Sequence, residues 1–144
     1  MTGVQTCALP ISKKDGCEDV KHTINWFEIP ATNVKRAAKF YSAVLEIKME
    51  EHADGPCKMA VFPAGNGSEE RAIHGALVQS EWHKPSSTGV LVYLNGNPDL
   101  AVPLAKVSQA GGKVVMQKTA IGEHGFMAAF IDTEGNRVAL HSMK

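Results

Sequence analysis

No apolar run in the sequence approaches the roughly 20 residues that a membrane-spanning helix requires. Cysteine is scarce and odd in number. Cys7, Cys17 and Cys57 show neither metal-binding nor redox spacing, which argues against a disulfide framework and for a reduced, cytoplasmic setting. Charge of one sign is also missing: 15 basic residues face 15 acidic ones without a block of either. That balance predicts neither a nucleic-acid surface nor an anionic membrane partner. The segment from Cys7 to Ile11 is too short for a signal peptide and has no basic stretch before it. What is present is a chain of 144 residues with 44% hydrophobic content, enough for one domain with a sizeable core.

Residues 1–21 carry no helical or strand period and are read as an N-terminal extension, disordered or artefactual; Gln5–Ile11 resembles the conceptual translation of a sequencing adapter. The domain is expected over residues 22–144. Ile24–Pro30 alternates as a strand, with Phe27 and Ile29 on one face and Trp26 and Glu28 on the other. Asn33 offers a helix N-cap, followed by an apolar stripe of Val34, Ala37, Ala38, Tyr41, Val44 and Leu45. Strands are expected at Lys48–His52, Lys58–Phe62 and Ile73–Gln79, and again at Gly89–Asn95 and Lys113–Lys118. A second helix is marked by Leu100, Leu104 and Val107. Its regular part is expected from Pro103 to the Gly111-Gly112 stop, because proline is tolerated only in a first turn.

The order strand–helix–strand–strand–strand therefore occurs twice, at about 24–80 and 89–143. An offset of 67 residues aligns Ala38 with Ala105, Lys39 with Lys106 and Met49 with Met116, and the run at 59–62 matches that at 127–130 one residue further on. The chain closes on a hairpin in which Gly135 supplies the positive φ of the reversal.

A hairpin ending Gly135-Asn136-Arg137-Val138-Ala139-Leu140-His141-Ser142, together with an opening Trp26–Pro30 strand, resembles the vicinal oxygen chelate superfamily of glyoxalase I, extradiol dioxygenases and the bleomycin- and fosfomycin-resistance proteins. The resemblance implies an α+β fold in which two βαβββ modules form a cupped mixed sheet around a central pocket, with helices outside. In the metalloenzymes of that family, His, Gln or Glu side chains from both modules hold a divalent metal that acts as a Lewis acid. Carried over by register, those positions are Trp26, Ala76, Leu91 and Ala139, none of which is a metal ligand. No metal or other cofactor is expected on this reading. The alternative is a relocated Zn, Ni, Fe or Mn site built from residues such as Glu28, His74 and His141.

The face opposite the core carries Glu28, His74, Tyr93, Asn95 and His141 beside the four inherited positions. Trp26, His74, Ala76, Leu91, Tyr93, Asn95 and Ala139 are the candidate ligand-binding residues, and Glu28 and His141 the candidate acid–base pair. Each has a plainer reading as a hydrogen-bonded or stacked wall residue. Glu123 and His124 are read as a solvated glycine turn before pocket rim, and His83 as linker. Two functions remain open. One is a metal-independent binding protein that encloses a small aromatic or amphipathic molecule. The other is a glyoxalase- or dioxygenase-like enzyme acting on a small carbonyl or vicinal-oxygen substrate. The resemblance also implies a homodimer.

Overall fold

Asn33 sets the first module in motion. Its backbone is extended and its side chain accepts from the Arg36 N–H at 3.1 Å, capping α1 (Val34–Leu45) as the sequence predicts. The computed structural model describes residues 23–53, 55–63 and 72–144; the expected extension at 1–21 lies outside the described residues. Before α1 comes β1 (Trp26–Pro30). After it come β2 (Glu50–His52), β3 (Lys58–Val61) and β4 (His74–Gln79), in a mixed sheet ordered β1–β4–β3–β2. β1 runs parallel to β4 and pairs Trp26 with His74 and Glu28 with Ala76.

The second module repeats this plan with β5 (Tyr93–Asn95), α2 (Ala101–Leu104), β6 (Lys113–Ala120), β7 (Phe126–Ile131) and β8 (Arg137–Ser142), ordered β5–β8–β7–β6. β5 lies parallel to β8, with Tyr93 opposite Ala139. Glu28 and Tyr93 thus occupy the same place in their modules, as do Ala76 and Ala139, which is the equivalence the repeat predicts.

Side-chain parity is also as expected. Leu77 and Leu140 are fully buried in one hydrophobic core that spans both modules, and Phe27 and Val92 pack against it. The width of the buried face of α1 was not legible in the stripe. Phe40 is buried beside Tyr41, and both rings lie near Phe130 of β7, with centroids 5.7 and 6.3 Å away. α1 therefore packs against the second module as well as its own sheet, and a helix with two neighbours buries a broader arc than a two-layer pattern requires.

Two expected elements differ. β5 begins at Tyr93 rather than Gly89: Gly89 has φ +101°, which turns the chain, and only the Val92 carbonyl, accepting from Ala139 N–H at 2.9 Å, continues the ladder. In α2 the regular turn lies before Leu104, not after Pro103. Pro103 sits third in the helix, where its missing N–H would have had no partner. Beyond it the bonds tighten to Lys106 N–H with Pro103 O and Val107 N–H with Leu104 O, so the apolar positions are buried on a turn-rich segment and not on a regular helix.

The last hairpin fastens the two modules together. Its turn, reversed by Gly135 at φ +98°, presents Glu134 to the start of α1. There Glu134 accepts from the backbone N–H groups of Thr32 and Asn33 at 2.8 Å each. Asp132 accepts from the buried Tyr41 hydroxyl at 2.7 Å, and Asn136 Nδ2 donates to the Pro30 carbonyl at 2.7 Å.

Candidate functional site

Asn136 ties the modules together at the Pro30 end of β1. Residues of β1, of β5 and of the end of α1 line a cleft of about 1290 Å³. It is lined on one side by Trp26 and Glu28, and on the other by Leu91, Tyr93 and Asn95. Trp26 is 42% exposed and Tyr93 50%, so both walls present aromatic surface.

Glu28 holds two side-chain hydrogen bonds at the cleft wall. One carboxylate oxygen accepts from the Trp26 indole N–H at 3.1 Å; the other lies 2.8 Å from His83 Nε2. The bond from His83 is the main reason the carboxyl titrates below its ordinary value; partial burial opposes it, and the Trp26 N–H adds to it. An ionised carboxylate only accepts, so His83 Nε2 carries a hydrogen. In the neutral ring Nδ1 is then an acceptor, and the Ser80 hydroxyl donates to it at 2.7 Å. Glu28 faces the large cleft, whereas Ser80 and His83 line a smaller cavity of about 380 Å³ behind it with Thr32 and Lys58.

The remaining candidates are distributed differently. Leu91, Tyr93 and Asn95 line the cleft with Trp26; His74, Ala76, Ala139 and His141 are not among its walls. Ala76 and Ala139 are fully buried. The Tyr93 hydroxyl reaches Met127 Sδ, two strands away, at 3.9 Å, so its ring lies across the strand that carries Ala139. His141 Nε2 donates to the carbonyl of His124 at 2.6 Å, which commits that nitrogen to the turn at Gly122–His124 and not to Glu28. The structure does not bring Glu28 and His141 to a common partner. Glu123 and His124 lie in the exposed turn, away from the cleft lining.

His83 is the residue whose neighbours read first as linker, and its contact with Glu28 was not expected. A Ser-x-x-His spacing was the available signal. Nothing local showed that the loop after β4 folds back over β1, because that depends on a contact across 55 residues.

The four places at which the family resemblance expects metal ligands, Trp26, Ala76, Leu91 and Ala139, fail a chemical test of fit. Alanine and leucine side chains have no donor atom, the indole N–H is a donor already bonded to Glu28, and no other side chain replaces them at those places in the register. Among the described residues no three His, Cys, Asp or Glu side chains converge as a metal site requires, and this includes Glu28, His74 and His141.

Two βαβββ modules with helices outside and a cleft between them define a vicinal oxygen chelate fold. The profile of the Glyoxalase/Bleomycin resistance protein/Dioxygenase superfamily matches residues 23–140, and the chain belongs to that family. It is 34% identical over 121 residues to a glyoxylase-like domain-containing protein from Didymella fabae, a match that covers 81% of this chain and 91% of that one. A glyoxalase/bleomycin resistance protein from Albidiferax ferrireducens superposes with a TM-score of 0.62 at 12% identity, covering 84% of this chain and 98% of that one. A glyoxalase I variant from Zea mays gives 0.61 at 20% identity; 82% of this chain matches 46% of that protein. At these identities the structural likenesses establish the fold alone. No helix among the described residues is long and apolar enough to cross a membrane.

Proposed function

We propose that this protein binds an aromatic or amphipathic small molecule in the cleft between β1 and β5, without the metal tetrad usual in its family. The observation that carries this reading is the pair of aromatic walls supplied by Trp26 and Tyr93, supported by the lack of metal-donor side chains at Trp26, Ala76, Leu91 and Ala139, where the family resemblance expects them. Removal of the Lewis acid leaves stacking and enclosure as the means of holding a ligand. In solution the protein is read as a symmetric homodimer.

The position of Glu28 supports a second reading, an enzyme that moves a proton on a small carbonyl substrate. A carboxylate held below its ordinary value is ionised near neutral pH, within reach of the cleft, and backed by an imidazole. His83, not His141, would be its partner. Calorimetric titration of a panel of aromatic ligands, with and without a chelator, tests the first reading. Binding unaffected by the chelator is expected. Binding that vanishes and returns on addition of Zn, Ni, Fe or Mn would overturn it.

A further inference from the structure

The charges around the cleft do not cancel. Among the described residues its walls carry three carboxylates, Glu28, Glu46 and Asp99, against one cation, Lys106. Lys106 is already ion-paired to Glu46, and Asp99 to Lys118 at 2.8 Å. Glu28 has no lysine or arginine partner among the described residues; its contacts are His83 and the Trp26 N–H.

The geometry at Trp26 adds a second element. Its N–H edge is held by Glu28, which fixes the indole by its rim, and the residue stays 42% exposed. A ring face carries negative electrostatic potential and attracts a cation within about 6 Å of its centre. Tyr93 supplies a second ring on the facing wall. A carboxylate at the edge of an exposed indole, in a cleft with apolar walls, favours positive charge carried on an apolar body. An anion of the same shape would meet Glu28 with no free lysine among the described lining residues to offset the repulsion.

We infer that the cleft selects organic cations, aromatic or amphipathic molecules bearing an amine, quaternary ammonium or phosphonium group, over anions of the same shape. Glu28 is the charge partner, and Trp26 and Tyr93 are the ring walls. The inference rests on the small-molecule-binding reading above and names its ligand class.

Two ions of matched shape and opposite charge, tetraphenylphosphonium and tetraphenylborate, separate the possibilities by calorimetry at fixed ionic strength with chelator present. Glu28 is partly exposed, which limits its effect. The cation is therefore expected to bind about tenfold more tightly than the anion. Glu28→Gln should abolish that preference while its melting temperature stays close to that of the parent. Glu123→Gln removes the same charge from an exposed turn outside the cleft and should leave the preference intact. Equal or tighter binding of the borate, or an equal loss in Glu123→Gln, overturns the inference and leaves small-molecule binding standing. Failure of both ions to bind overturns the two together.

Discussion

Glu134 and Arg36 are joined by two hydrogen bonds, 2.7 Å from Nε and 3.0 Å from the terminal guanidinium nitrogen, across 98 residues of sequence. The Glu134 side chain has no solvent exposure, and the same carboxylate accepts from the Thr32 and Asn33 N–H groups. One side chain from the last hairpin therefore holds the residues that lead into the first helix and joins the two modules.

Glu134→Ala is expected to destabilise the fold by about 2–4 kcal/mol, because it orphans two backbone donors and an arginine. Urea unfolding measures the loss. A change under about 0.5 kcal/mol would show that the clamp contributes nothing to holding the modules together.

The pH dependence has a definite sign. Burial alone would raise the Glu134 carboxyl, but the bonds from Arg36, the Asn33 N–H and Thr133 outweigh it and hold the group below its ordinary value of 4.5. A lowered carboxyl contributes stability that is present above the unfolded value and lost as pH falls through the folded one. The stability gap between the parent and Glu134→Gln should be constant at neutral pH and shrink below 4.5. A gap that widens on acidification would contradict this assignment.

Trp26→Ala should weaken ligand binding more than His141→Ala, by roughly tenfold, the value of a lost aromatic contact. Trp26 lines the cleft, whereas His141 is bonded to the His124 carbonyl and does not. Equal losses in the two variants would move the binding surface toward β8.

Metal analysis of protein purified without chelators should return well under one equivalent. A near-stoichiometric metal that is lost in Glu28→Gln or His141→Gln would make the protein a metalloenzyme with a relocated site.

Light scattering at micromolar concentration should give the mass of two chains. Val90 is 94% exposed and Trp82 72%, apolar surface beside the cleft and in the loop after β4 that a second copy would cover. A monomer mass would leave that surface to another role.

The strand–helix–strand–strand–strand order, its repetition, the Asn33 cap and the facing of Leu77 and Leu140 were legible in the sequence, because each follows from periodicity over a few residues or from a local cap. Tertiary structure decided the rest. Phe40 is buried because Phe130 arrives from the other module, and β5 is short because Gly89 turns the chain on its way between modules. His83 reaches Glu28 because the loop after β4 folds back over β1, and His141 turns from the cleft to a carbonyl in a neighbouring turn. The contacts of Phe40, His83 and His141 join residues 17 to 90 apart in the chain, whereas the Gly89 turn is local. Local preferences state which face a side chain takes; only the assembled modules state what stands opposite it.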